Sequence, residues 1–338
     1  MKKGLAIAAR VLISGVLLWL LFHEHSLTSQ ILPHLATMAR EWHWALAGIT
    51  CAGLSLGFSA WRWWVVLRPQ VAAIRFSEVL EATIVAAFFN ITSLGTLGGD
   101  AYRVIAIQRR HPGMGPQAGM SVIVDHLAGL FGMSVLFFGF GLTALHQWPS
   151  FAPRVQSMLG GFAIFLVVGS AMTVLAILSL SPRFIERVGR FAPRLANAPF
   201  VQKMSHTFDP LWNAWRAALT AVWISIGVIL TYFLAFYCGL RAVGGEAPLL
   251  SVLIAMPIVD VATALPISVS GLGVREKAFE TLMFSLVALP HAMSISASLA
   301  GWLFTVVWGL IGGLLFMFRK PAADSAAGTG NGGLRTES

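Results

Sequence analysis

The stretch Leu265-Pro-Ile-Ser-Val-Ser-Gly-Leu-Gly-Val-Arg-Glu-Lys277 decides how this chain is read. It sets Pro266, Gly271 and Gly273, then the charges of Arg275, Glu276 and Lys277, into a region that is otherwise almost wholly apolar. A similar interruption, Thr92-Ser-Leu-Gly-Thr-Leu-Gly-Gly-Asp-Ala-Tyr-Arg103, stands in the first half. In a bilayer, non-helical backbone is tolerated only where protein covers it or where it lines a wet cavity. Paired breaks, one in each half of a membrane protein, are the best sequence pointer to a transport site.

Composition agrees with a bilayer as the solvent. The 338 residues are 57% hydrophobic and 11% charged, with a mean hydropathy of +0.77. A soluble domain carries about 25% charged residues. The chain therefore reads as an all-α polytopic integral membrane protein. The 12 Trp suit anchoring at the membrane interfaces. Cys51 and Cys238 sit in apolar segments and read as buried thiols rather than a disulfide. They lack the closely spaced companions of a metal site.

The net charge of +9 is better explained by the positive-inside rule than by nucleic acid, because the bases cluster at the edges of apolar runs. Runs long enough to span a bilayer lie near 4–22, 45–66, 118–145, 156–180, 217–240 and 292–318. The first has no small-residue cleavage site after it and is expected to be retained. Two further apolar regions, 78–117 and 249–290, contain the breaks.

Loop charges order the spans. Lys2, Lys3 and Arg10 place the N-terminus inside, and the 23–44 loop, with Arg40 its one strong base, outside. Arg62, Arg68 and Arg75 are counted to the next connection, and Arg103, Arg109 and Arg110 follow the first break, so both are internal. The region between begins and ends inside. Its arm Val79–Ile91 is short for a crossing, which favours a re-entrant hairpin. Further along, 146–155 is external, 181–216 is internal and 241–248 is external. Arg319, Lys320 and Arg335 place the C-terminus inside. The last span then runs outward to inward, so 249–290 becomes a second hairpin entering from the opposite face. The expected architecture is six full spans and two oppositely entering hairpins, compatible with an inverted repeat. One transmembrane domain covers 1–320, and the Gly- and Ser-rich 321–338 reads as a disordered cytoplasmic tail. Within 181–200, Phe184, Val188, Phe191 and Leu195 alternate with Arg183, Arg187, Arg190 and Arg194. This pattern fits an amphipathic surface helix.

Charges within spans are costly and are functional candidates by default. Here they are Asp100, Arg103, Asp125, His126, Asp260, Arg275, Glu276, Lys277 and Glu280. If Gly98-Gly99 opens a helix, Asp100 falls in its first turn and Arg103 shares its face. An Arg fork beside glycine backbone suits a phosphate; equally, Asp100 and Arg103 form a pair that merely closes the hairpin. Gly271 and Gly273 precede Arg275 and Glu276 in the same manner, and Lys277 and Glu280 share a face. Asp125, with Arg103 as its expected partner, is either a structural ion pair or part of a proton path. His126 beside it titrates near neutral pH or simply hydrogen-bonds. Asp260 either takes a proton or binds freed backbone N–H groups.

These residues resemble a known family. The pattern Asn90…Gly-Gly-Asp100-x-x-Arg103, then Asp125, then Leu265-Pro-x-Ser-x-x-Gly-Leu-Gly-Val-Arg-Glu276 is similar to the lysylphosphatidylglycerol synthase transmembrane family, over roughly residues 5–318. Two positions depart from the family pattern: Gly95, where many relatives carry Pro nearby, and His126, where Arg is common. The resemblance implies a polytopic fold with re-entrant segments in a bacterial inner membrane. It also implies flippase-like translocation of a phospholipid or other lipid-linked anionic substrate. No aminoacyl-transfer domain is expected in this chain, so synthesis of the lipid is not.

The expected substrate-binding residues are Gly98, Gly99, Asp100, Arg103, Gly271, Gly273, Arg275 and Glu276, with Asp125 and Asp260 along a polar path. No catalytic residue, metal or cofactor is expected. The partners are the bilayer and the lipid, not nucleic acid, and homo-oligomerisation is left open. The competing readings are a membrane-embedded transferase on a lipid-linked substrate and a non-transporting partner subunit. Short external loops and intramembrane carboxylates count against the enzyme, and no phosphate-binding P-loop appears.

Overall fold

The computed structural model describes residues 33–71, 73–92, 96–144, 151–179, 190, 215–264 and 269–318. The expected first span at 4–22, nearly all of the 181–200 surface helix, and the tail lie outside the described residues. A 3-10 turn, Thr37–Ala39, leads into α1, Trp42–Leu67. Then come α2, Phe76–Thr92, α3, Thr96–Arg110, α4, Gly115–Ala144, and α5, Pro153–Ser179. The second half holds α6, Trp215–Ala242, and α7, Leu249–Ala264. A 3-10 turn, Val269–Gly271, α8, Val274–Val287, and α9, His291–Phe318, complete it. The described elements are all helical.

Length sorts these helices. Five stretches, within α1, α4, α5, α6 and α9, are long and apolar enough to cross a membrane. At about 1.5 Å per residue, α1 with its 26 residues exceeds the roughly 30 Å hydrocarbon core. The arms of the broken regions do not. They have 17 and 15 residues in α2 and α3, and 16 and 14 in α7 and α8. The long helices leave apolar side chains such as Val167, Met172, Trp223, Leu310 and Leu314 exposed, as lipid-facing surfaces require.

The first broken region is a helical hairpin. At its tip Asn90 Oδ1 accepts the Gly99 N–H at 3.0 Å. At its mouth Arg110 donates to Glu81 at 2.6 Å and to the Glu78 carbonyl at 3.3 Å, while His111 meets Glu78 at 2.9 Å. Both ends of α2 and α3 are therefore tied antiparallel. In the second, α7 and α8 pack on each other across the 269–271 turn, and that turn also packs against α2.

The most extensive helix pair is α1 with α6. They run antiparallel, tied by Thr37 to the Ala242 carbonyl at 3.2 Å, by Ser55 to the Val228 carbonyl at 2.9 Å, and by Arg62 to Ser225. Helix α9 approaches α6 closely: a methyl on Gly239 would lie 2.7 Å from the Gly301 nitrogen. Small residues at a helix crossing gain backbone-to-backbone packing, the force that associates helices where lipid competes with every apolar side chain. Cys51 and Cys238 remain free thiols within this α1–α6 layer.

Candidate functional site

Arg62, Asp125 and Arg103 form a buried charge cluster from α1, α4 and α3. Arg62 grips Asp125 with two bonds, Nε to Oδ1 at 2.6 Å and Nη2 to Oδ2 at 3.0 Å. Its Nη1 donates to Ser225 on α6 at 3.0 Å. This is the bidentate fork, the strongest Arg–carboxylate geometry. The expectation that Arg103 is the first partner of Asp125 is corrected: Arg62 is. Arg62 lies within α1, not in the connection that follows it, and is 8% exposed. The available signal was its position between Trp61 and Trp63 inside an apolar run, because an ionisable residue inside a span demands a partner.

Arg103 is held loosely by comparison. Its Nη1 lies 3.5 Å from Asp125 Oδ2 and 3.7 Å from Asp100 Oδ1, and its Nη2 donates to Ser59 at 3.4 Å. The guanidinium lies over the Trp63 ring, 5.3 Å from its centroid, and Trp63 is itself fixed by Nε1 to Ser121 Oγ at 2.9 Å. Arg103 Nε is buried with no hydrogen-bond partner. On the other side of Asp100, Oδ2 meets His126 Nε2 at 3.1 Å. The cluster thus runs from Asp125, whose side chain is 1% exposed, to His126 at 50%.

The glycines sit differently from the expectation. Helix α3 resumes at Thr96, so Gly98 and Gly99 lie within it and Asp100 falls beyond the first turn, which holds no acid. The reason is local packing. A methyl on Gly99 would stand 2.7 Å from the Ala86 carbonyl oxygen, so glycine lets α3 lie against α2. Its N–H is already committed to Asn90.

The second cluster surrounds the 269–273 turn. Ser270, Gly271 and Gly273 have φ of 54°, 73° and 82°, the left-handed region that glycine enters without a Cβ clash. At Gly271 a methyl would also meet Thr263 Cβ at 2.8 Å. Glu276 caps α8 by accepting the Gly273 N–H at 2.6 Å through Oε2, as a carboxylate at the third helical position does. Arg275 Nη2 donates to the Ser270 carbonyl at 2.6 Å, and its guanidinium carbon lies 5.9 Å from the Trp302 ring centroid. Arg275 Nη1 and Glu276 Oε1 face each other at 3.8 Å, and neither has a hydrogen-bond partner although both are buried. Asp260 and Tyr232 lie within electrostatic range of Arg275. At the far end of α8, Glu280 joins Lys277 at 2.8 Å and also His291 of α9.

The hairpins touch, and each guanidinium has its own set of partners. Arg103 and Arg275 have no hydrogen-bonding partner in common among the described residues. The first cluster engages Ser225, and the second lies within electrostatic range of Tyr232, about two turns further along α6, or roughly 10 Å. The two guanidiniums thus stand at two polar levels, each with its own hydrogen-bonding partners. Each guanidinium has its own neighbours, Arg103 on α1 and α4 and Arg275 at the 269–271 turn and α9, while α9 packs against both hairpins, on α2 and on α8. Residues not singled out in the sequence, Arg62, Ser59, Trp63, Ser225, Tyr232 and Trp302, complete these levels; apart from Arg62, no spacing marks them.

Residues 7–322 match the family model described as the lysylphosphatidylglycerol synthase TM region. No curated protein and no solved structure matches the chain. A polytopic helical membrane protein matched over nearly its whole length, this chain belongs to the lysylphosphatidylglycerol synthase transmembrane-region family.

Proposed function

We propose that the chain is a flippase-like protein. It carries a phospholipid, or another lipid-linked anionic substrate, between the leaflets of a bacterial cytoplasmic membrane, with both of its own termini on the cytoplasmic side. The observation that carries this reading is Arg103. A guanidinium buried among apolar helices normally has every N–H satisfied, yet Arg103 has an unpaired Nε and two long carboxylate contacts. Arg62 beside it is tightly paired. One Arg therefore neutralises Asp125 for the fold, and the other keeps donors in reserve for an anion.

Arg275 repeats the pattern at the second level with its unpaired Nη1. A headgroup phosphate passing from one level to the other exchanges one planar fork for the next, while acyl chains stay in lipid. Gly99 lets α3 lie close against α2 along that path, and Gly271 and Gly273 give the second turn its left-handed backbone. Asp100, Asp125, Asp260 and Glu276 balance its positive charge.

The test is translocation of labelled phosphatidylglycerol in vesicles holding the purified protein, read as loss of protection from a membrane-impermeant reductant. Accelerated exchange over protein-free vesicles is expected. Arg103→Lys and Arg275→Lys should each slow it roughly 10- to 150-fold. That is the effect of losing one charge-assisted hydrogen bond of about 1.5–3 kcal/mol. Exchange no faster than in empty vesicles sinks the reading, and a new chemical species among the lipids replaces it with the transferase.

A further inference from the structure

His126 stands at the exposed edge of the first cluster, and both of its ring nitrogens face acceptors. Nδ1 lies 3.1 Å from the Val122 carbonyl oxygen, and Nε2 lies 3.1 Å from Asp100 Oδ2. A carbonyl oxygen and an ionised carboxylate both only accept. A neutral imidazole has one N–H, and its other nitrogen is then a bare acceptor. Whichever nitrogen carries the hydrogen, one of the two contacts is left as acceptor against acceptor. Both become hydrogen bonds together only when one more proton is present, on the ring or on Asp100.

The surrounding charges define what that proton does. Facing the pair are Arg103 on α3, Asp125 on α4 and Arg62 on α1. Ser59 and Ser225 are the neutral hydrogen-bonding neighbours of the two arginines. Arg62 cancels Asp125, and Arg103 cancels ionised Asp100. The extra proton leaves the cluster with one net positive charge. It sits beside the guanidinium that has an unpaired N–H, at the end of the cluster where His126 is half exposed.

We propose that Asp100 and His126 form a proton-binding site that charges this cluster to receive a monoanionic phosphodiester headgroup. The proposal rests on the lipid-handling reading above and adds a source of drive to it. With the proton in place, Asp100 is held by His126, and the phosphodiester takes over the loose Asp100 contact on Arg103. When the proton leaves for water past the exposed edge of His126, ionised Asp100 competes for Arg103 and the anion is released. Linkage makes this reciprocal: protons tighten anion binding, and the anion tightens proton binding by the same factor. The sign follows. Binding is strongest at low pH and weakens as the proton is lost at higher pH.

The experiment measures binding of short-chain phosphatidylglycerol to the full-length protein in neutral detergent, between about pH 5 and 8, where histidine changes charge. A second arm uses glycerophosphoglycerol, the same phosphodiester without chains. Affinity for the lipid should fall by up to about tenfold per pH unit, the limit for one linked proton. His126→Gln, checked for a monodisperse folded peak, should bind with a flat pH profile. His126→Arg, with its permanent charge, should hold the low-pH affinity at the alkaline end. Equal slopes for lipid and free headgroup place recognition in the phosphodiester. A slope with the lipid alone also supports the proton site and makes the chains necessary for occupancy. Saturable wild-type binding with no pH slope overturns the proton site and leaves the lipid reading standing, as does an unchanged slope in His126→Gln. No binding of either probe at any pH overturns both.

Discussion

At the scale of the residue, the two guanidiniums of the first cluster have opposite duties, and their geometry separates them. Arg62 and Asp125 are a buried, bidentate pair with a serine to complete the fork. Removing one partner strands the other charge, at a cost of about 3–5 kcal/mol. Arg62→Ala and Asp125→Ala should therefore each lower the thermal unfolding temperature in detergent markedly. Arg62→Met combined with Asp125→Leu should recover most of that loss, since an apolar pair of similar volume avoids the desolvation penalty. Arg103→Ala should cost less stability than Arg62→Ala, because its carboxylate contacts at 3.5 and 3.7 Å are long. Equal losses for the two would make Arg103 a structural residue as well.

At the scale of the element, the 269–273 turn converts sequence directly into shape. Gly271 has a left-handed backbone, and its missing Cβ leaves room for Thr263. Gly271→Val is expected to destabilise the protein by about 1–3 kcal/mol, the usual cost of such backbone strain in a side-chain-bearing residue. Thermal unfolding reads this directly. Glu276 has two oxygens with different tasks, one capping α8 and one unpaired. Glu276→Gln can keep an acceptor for the Gly273 N–H while losing the charge, whereas Glu276→Ala loses both. Unfolding temperatures should show Glu276→Gln near wild type and Glu276→Ala lowered by about 1 kcal/mol, the value of a helix N-cap. A transport loss in Glu276→Gln with stability intact would assign the charge to the polar path.

At the scale of the whole molecule, the helix ends already constrain the topology. The 3-10 turn leading into α1 meets the end of α6 through Thr37 and Ala242, and Arg241 lies 5.4 Å from the Trp44 ring centroid at the start of α1. These ends share one side of the bundle, as the loop charges require. Cysteine labelling of intact cells tests the absolute sidedness. Val155 is buried, at 2% exposure, whereas Arg154 and Arg190 are exposed. In a background with Cys51 and Cys238 replaced by Ser, Arg154→Cys should react with an impermeant maleimide from outside. Arg190→Cys should react only after permeabilisation. The reverse order would invert the topology and with it the facing of both polar levels.

Helix class, the long apolar spans and the two broken regions were legible in the sequence because they rest on local quantities. Apolar run length, the position of glycine and proline, and the cost of an intramembrane charge all act within a few residues. The motif at 265–277 likewise announced its own turn, since Gly271 and Gly273 stand where the backbone turns left-handed. Partner choice was not legible. Asp125 has Arg103 nearer in sequence, yet it pairs first with Arg62, which α1 presents from 63 positions away. Nor did spacing reveal that Gly99 serves the α2–α3 contact, or that Arg103 and Arg275 occupy separate levels. Those outcomes depend on how antiparallel helices set their heights against one another. Close packing on the shared helix α9, which meets α2 of the first hairpin and α8 of the second, decides that height, and only the tertiary structure contains it.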